Sequence, residues 1–319
     1  MSPNIIIFNR AIVYCFVCAG LVISVNQISA AKLTIAHARN EKKGSSMMTH
    51  PANDHQVKGE PEFLEESLRK RTDILFFSGF ESTDWRDRWG MEWGPRPADN
   101  ISLVSGKDAF SGKSLRVRYP KGLIGGPSAC QFYSSFRKIG ITPRDSVYVR
   151  YYLRFDPSFE FVKGGKLPGL VGGDGNTGGS VPNGIDGFSA RIMWRTGGRI
   201  VQYLYHPDQP GVWGEDFDWN YGGKFRFFIP GKWHCVETFL QMNTPGKKDG
   251  IVRSWLDSEL ALDIESIRFR DIPDLKIDAF YFSTFFGGGE PDWAPSSDQF
   301  VQFDNFVISE NRIGIVNND

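Results

Sequence analysis

Residues 146–155 alternate without a break. Val147, Val149, Tyr151, Leu153 and Phe155 fall on one side; Tyr148, Arg150, Tyr152 and Arg154 fall on the other. A period of two held over that length predicts a strand with one apolar face and one aromatic, basic face. The plain reading of Arg150 and Arg154 is a solvated surface. The same alternation appears in 114–119, where Leu115, Val117 and Tyr119 interleave with Arg116 and Arg118. Further strands are read at 188–195, 200–206, 251–257, 278–286 and 299–309, and one opens at Gly231–Glu237 and runs through Met242. Helix signals are scarce; a short one covers 62–71 behind Pro61, which suits a first helical turn. The Gly-rich region 164–187 has no apolar period and reads as a long loop. It is no phosphate cradle, because no Gly-Lys-Ser/Thr follows a strand and opens a helix.

Many short strands separated by Gly, Pro and Asx turns define the fold class as all-β. The expected architecture is an antiparallel two-sheet β-sandwich of jelly-roll type. No internal repeat and no second domain is visible, and the domain is expected to occupy 73–312, followed by a tail at 313–319. Trp85, Trp89 and Trp93 either pack on the sandwich or line a sugar site; packing is the safer reading, since large aromatics dominate cores.

The hairpin between 188–195 and 200–206 carries a register problem. Ser189 and Arg191 share one face of the first strand, and Tyr203 and Tyr205 share one face of the second. A two-residue turn at Gly197-Gly198 would set Arg191 opposite Leu204 and turn the tyrosines away. A three-residue turn, or a bulge, sets Arg191 opposite Tyr203 and Ser189 opposite Tyr205. If these polar residues form one site together with Lys166, an odd-length turn or bulge is required.

Composition adds bounds. Net charge is zero, so nothing general argues for nucleic acid or an anionic membrane surface. Any preference for an acidic ligand must come from a local basic site. At the N-terminus, Arg10 precedes an apolar run over 11–25, and Ser29-Ala30-Ala31 follows. That reads as a secretory signal peptide over 1–31, with an uncleaved anchor as the alternative. The mature protein is then secreted or periplasmic, with no membrane attachment after cleavage. Residues 32–72 are polar, mixed in charge and linker-like. Cleavage would leave Cys130 and Cys235, either one disulfide or two buried thiols. No Cys/His cluster has zinc spacing.

The candidate chemistry rests on Lys166, Ser189, Arg191, Tyr203 and Tyr205, a set without a carboxylate pair. In a polyuronate such as alginate, a carboxylate sits beside the C5 hydrogen. β-Elimination needs that charge neutralised, a base for the C5 proton and an acid for the departing O4. Arg and Lys supply the first, Arg through a bidentate fork. Tyr can supply the others, with nearby cations favouring its anion. No water attacks, so neither metal nor cofactor is required. His206 is a second candidate base, but alternation turns it away from Tyr205. Glu215, Asp216 and Asp218 suggest a hydrolase pair or a Ca²⁺ site, or, more simply, a loop of solvated acids.

Lys166 in Gly-Gly-Lys-Leu-Pro-Gly-Leu, Ser189-x-Arg191 and Tyr203-x-Tyr205 resemble the active-site set of polysaccharide lyase family 14. So does the later run Gly231-Lys232-Trp233, Val236-Glu237, Asn243-Thr244-Pro245-Gly246, Asp249-Gly250 and Trp255-Leu256-Asp257. The family includes alginate and glucuronan lyases built on a β-jelly roll. The resemblance implies Tyr205 as the main proton-transfer residue, with Tyr203 assisting. It implies Lys166 and Arg191 on the uronate carboxylate and Ser189 hydrogen-bonded to substrate. The implied partner is an acidic polysaccharide, and a monomer is expected. Two other readings stay open: a non-catalytic carbohydrate-binding jelly roll and a jelly-roll glycoside hydrolase.

Overall fold

The computed structural model describes residues 67–68 and 70–315. The expected signal peptide lies outside the described residues, as do most of the linker, most of the 62–71 helix and the end of the tail. Among the described residues the strands are β1 (Ile74–Ser78), β2 (Met91–Arg96), β3 (Ile101–Ser105), β4 (Lys113–Tyr119), β5 (Cys130–Ser135), β6 (Ser146–Phe155), β7 (Gly164–Gly173), β8 (Gly187–Arg195), β9 (Ile200–Tyr205), β10 (Glu215–Asp218), β11 (His234–Gln241), β12 (Gly250–Leu256), β13 (Glu259–Ile267), β14 (Ala279–Phe286) and β15 (Gln299–Ser309). They form two antiparallel sheets. One runs β13-β12-β11-β6-β15-β4-β3, with β1 also paired to β15; the other runs β10-β9-β8-β7-β14-β5-β2. This is the expected two-sheet sandwich.

The core between the sheets is aromatic. Tyr151 on β6 stacks on Phe306 at 4.8 Å, and Phe282 on β14 meets Phe303 on β15 edge-on at 5.1 Å. The alternation in 146–155 lands as predicted: Val147, Val149, Tyr151, Leu153 and Phe155 all join this core. Trp85 and Trp89 are buried in it too, the first opening the short helix α1 (Trp85–Arg88) and the second following it.

Three expectations need correction. Lys166 does not stand on a loop: the first ten residues of the Gly-rich region form β7, flanked by β8 and β14. Glycine hid that strand because the packing demands it. At Gly165, a Cβ would lie 2.1 Å from the Trp194 indole, so only a bare backbone fits beneath that ring. Glu215, Asp216 and Asp218 lie on the edge strand β10; Asp216 and Asp218 are ion-paired to Arg195 and Arg199, and Glu215 lies 2.9 Å from the His206 ring. They are not a loop of solvated acids. Arg150 is not solvated either but fully buried. The cysteines resolve as two thiols. Cys130 and Cys235 are both free and buried, on different sheets. Burial pushes both up, Cys235 to about 12.

Candidate active site

The β8–β9 hairpin has the register that the polar set requires. Arg195 N–H donates to the Arg199 carbonyl at 2.7 Å across the three-residue turn Thr196-Gly197-Gly198. Gly197 and Gly198 take the left-handed φ values of 69° and 83° that such a turn demands. Arg191 therefore stands opposite Tyr203, and Ser189 opposite Tyr205. Phe188, Ala190, Ile192 and Trp194 point into the central core, whereas Met193, Val201, Tyr203 and Tyr205 cluster on the other side of the sheet.

Lys166 reaches that outer side through a bulge. Lys166 faces Met193 and Gly169 faces Arg191, with a register shift between Leu167 and Gly169. The extra residue keeps positions three apart on one face. The Lys166 Nζ then lies 4.6 Å from the centre of the Tyr203 ring. The Arg191 and Arg195 guanidinium carbons each lie 5.8 Å from that ring. Three cations thus surround Tyr203. Only Arg195 has an acid partner, a bidentate pair with Asp216 at 2.7 and 2.5 Å.

Among the described residues, Lys166 and Arg191 form no ion pair. Arg191 is buried; its Nη1 meets the Ser283 hydroxyl at 3.3 Å, and its Nε has no partner. Burial pulls the guanidinium below its usual range. Lys166 retains some exposure, yet desolvation, then Arg191 and Arg195, hold its ammonium well below the usual lysine value, with Asp216 opposing. Such unneutralised positive charge is what an incoming carboxylate would relieve.

The tyrosines differ. Burial, followed by the charge and hydrogen bond of Tyr205, pushes Tyr203 above the ordinary phenol range, so it stays protonated. The Tyr205 oxygen accepts the Gly179 amide at 3.1 Å. The Tyr203 and Tyr205 rings meet edge-on at 5.6 Å. Gly214 lies flat against the Tyr205 ring, where a Cβ would come within 2.7 Å. Two loops, 174–186 and 206–214, thus wall in Tyr205. Ser189 is fully buried and donates to the Asn176 carbonyl at 2.8 Å. It fastens the first loop from below. His206 is turned to Glu215, at 2.9 Å, as alternation requires.

Arg195, Tyr281 and Ser283 also border the site, and none was among the sequence candidates; Asp216, weighed there only as a hydrolase or Ca²⁺ residue, borders it as the partner of Arg195. Arg195 was within reach of the period-two argument, lying four residues beyond Arg191. Tyr281 and Ser283 sit on a recognised strand, but nothing local says that β14 neighbours β7. Among the described residues, no cluster of three or more His, Cys, Asp or Glu side chains could hold a metal.

A two-sheet sandwich bearing cations without acid partners beside a tyrosine pair suits an anionic ligand, and comparison with known proteins gives the class. Residues 107–306 match the family model Polysaccharide lyase 14. The chain belongs to that family and is a polysaccharide lyase. Among solved structures, it is similar to the marine PL-14 alginate lyase from Aplysia kurodai, with 32% identity, 66% of this chain and 87% of that one covered, and a TM-score of 0.56. It is similar in fold to alginate lyase Aly36B, with 23% identity, coverage of 76% and 97%, and a TM-score of 0.61. Alginate lyase vAL-1 from Chlorella virus follows, with 22% identity, coverage of 66% and 89%, and a TM-score of 0.56. No curated protein matches the chain in sequence.

Proposed function

We propose that this lyase cleaves a polyuronate of the alginate or glucuronan type by β-elimination at the Lys166–Arg191–Tyr203–Tyr205 site. The observation that carries the reading is the pair of cations on the outer face of the sheet, Lys166 and Arg191, without acid partners among the described residues, beside the Tyr203–Tyr205 pair. The uronate carboxylate takes the place of the missing acid, between the Arg191 guanidinium and the Lys166 ammonium. Its charge neutralised, the C5 carbanion becomes tolerable. Tyr205, as its phenolate, takes the C5 proton. The C4–O4 bond breaks, the C4=C5 double bond forms, and the proton returns to O4. Tyr203, held protonated, donates to the Tyr205 oxygen and fixes its position. Ser189 acts through the loop it anchors. The alginate lyases named above support the choice of an acidic substrate.

The test is ultraviolet absorbance during incubation with polymannuronate, polyguluronate and glucuronan. Elimination creates a conjugated unsaturated uronate; hydrolysis or binding alone does not. Tyr205→Phe should cut the rate by about 10²–10⁴-fold, the usual worth of a positioned acid–base group. Full activity in that variant would remove Tyr205 from the chemistry. We also infer that the protein is exported, on the strength of the apolar run over 11–25; N-terminal sequencing of the mature protein, expected to begin near Lys32, tests it.

A further inference from the structure

The row of side chains that contains Arg191 continues far beyond the proposed catalytic group. Across the ladder, Trp93 stands opposite Tyr133, Tyr133 opposite Tyr281, Tyr281 opposite Gly169, and Gly169 opposite Arg191. Past Arg191 come Tyr203 and Asp216. One row thus crosses all seven strands on the side away from the core. The contacts along it are short. The Arg191 guanidinium carbon lies 5.6 Å from the Tyr281 ring, and the Tyr281 and Trp93 rings meet edge-on at 5.9 Å.

Arg96 reaches the same side of the sheet, beside this row, by the same device that places Lys166. Trp93 and Arg96 are three residues apart, and strict alternation would send them to opposite faces. β2 is irregular between them, so Trp93 faces Tyr133 while Arg96 faces Gln131. Tyr133 and Gln131 lie two apart on β5 and share its outer side, since Cys130 and Phe132 hold the core side. A bulge re-aims a side chain in just this way. The Arg96 guanidinium carbon stands 5.9 Å from the Trp93 ring. Arg96 is exposed and Trp93 only half-buried. Arg96 enters none of the ion pairs found among the described residues. Trp85 and Trp89, by contrast, are sealed in the core, so Trp93 is the member of that tryptophan series left to meet a ligand.

We infer that Trp93 and Arg96 form a distal subsite for a further uronate residue of the polymer held at Arg191 and Lys166. The inference rests on the polyuronate reading of that site. A pyranose ring offers a face of C–H groups to an aromatic ring, and its carboxylate seeks a free guanidinium. Trp93 with Arg96 supplies both. Continuity of the row through Tyr133 and Tyr281 makes the occupant part of the same chain. The polymer lies across the strands.

The test compares Trp93→Ala, Trp93→Phe and Arg96→Gln with wild type, on the best-cleaved polyuronate and on the shortest of its oligomers still cleaved. For the polymer, KM should rise about tenfold in Trp93→Ala, equivalent to one well-packed contact, and less in Trp93→Phe. Arg96→Gln should raise it and weaken its salt dependence. The preference of wild type for polymer over the short oligomer should collapse in Trp93→Ala. An equal KM change at both lengths, or none, would overturn the subsite while leaving the lyase reading intact. If no polyuronate yields the absorbance, electrophoresis through gels containing each polymer decides separately. Retardation lost in Trp93→Ala and Arg96→Gln would keep the subsite and sink the lyase chemistry; absence of retardation would sink both. A change of oligomeric state in Trp93→Ala would assign the patch to a second copy of the chain and overturn the proposal.

Discussion

The two outer faces of the sandwich are built from the same residue types, yet they treat charge in opposite ways. On the eight-stranded sheet, buried Arg150 stands opposite buried Glu237. Arg150 donates to the Gly314 carbonyl at 2.8 Å, while Glu237 accepts the Ile313 and Gly314 amides at 2.7 and 3.0 Å. The end of the described chain is thereby clamped onto that face. Arg116 pairs with Asp156, and Arg253 with Asp263. On the seven-stranded sheet, Arg191 is equally buried and stands opposite Tyr203, with no acid facing it. The nearby acid, Asp216, is occupied by Arg195. Basic side chains on a sheet face therefore say little by themselves. What separates structure from site is whether the fold supplies the counter-charge or leaves it to a ligand.

Matched substitutions should break the comparison apart. Arg191→Met and Arg150→Met remove the same group from a buried position on each face. Arg191→Met should lower kcat/KM on polyuronate by about 10³-fold, through loss of charge stabilisation in a water-poor site. It should leave stability to urea unchanged or raised, because an unpaired buried cation has gone. Arg150→Met should do the reverse. It removes the hydrogen bond to the Gly314 carbonyl and the cation across the ladder from buried Glu237, whose own ion pair is with Arg312 at 3.9 Å, at a cost of about 2 kcal/mol in urea unfolding, while kcat holds. Equal stability changes in the two variants would refute the distinction.

Lys166 sharpens it through pH. Its folded value is depressed below the unfolded one. At pH below the folded value the full penalty of holding the ammonium is present. As pH rises toward the unfolded value the unfolded chain binds the extra proton, and stability climbs. Lys166→Met should therefore be more stable than wild type near neutrality, by about 1 kcal/mol after discount for residual exposure. The gap should close in alkaline buffer. In wild type, KM should rise as pH passes the depressed value, earlier than an ordinary lysine near ~10.4 would allow. Thermal unfolding across pH, paired with KM measurements, checks both signs.

How far the sequence reveals this arrangement depends on the kind of signal. Period-two alternation placed 146–155 to the residue, and the strand read at 299–309 has the observed bounds. Residue facing, together with the demand that Arg191 meet Tyr203, was enough to require the odd turn at Thr196-Gly197-Gly198. β7 escaped because its glycines answer to neighbours that are distant in sequence, such as Trp194. The bulges at Pro168 and in β2 are invisible for the same reason: nothing local announces which residue will be extra. Arg150 and Arg191 look alike along the chain, and only the strand pairing tells which has an acid across from it. Trp93 likewise looks like Trp85 and Trp89 until β2 bends it outward.

The smallest effect separates anchoring from catalysis. Ser189 and Ser309 are both fully buried serines on β8 and β15. Each donates to a backbone carbonyl, of Asn176 at 2.8 Å and of Asp73 at 3.0 Å. Replacing either with alanine leaves that carbonyl short of a donor, worth about 1 kcal/mol of stability in each case. Only Ser189→Ala loosens the loop whose Gly179 amide meets the Tyr205 oxygen, so only there should kcat fall, by about threefold, the equivalent of less than one hydrogen bond. Ser189→Thr, which keeps the hydroxyl, should restore part of it. A loss of kcat approaching that of Tyr205→Phe would instead mean that the Ser189 hydroxyl leaves Asn176 and meets the substrate directly, and the two-face contrast would then need one more ligand-facing residue on β8.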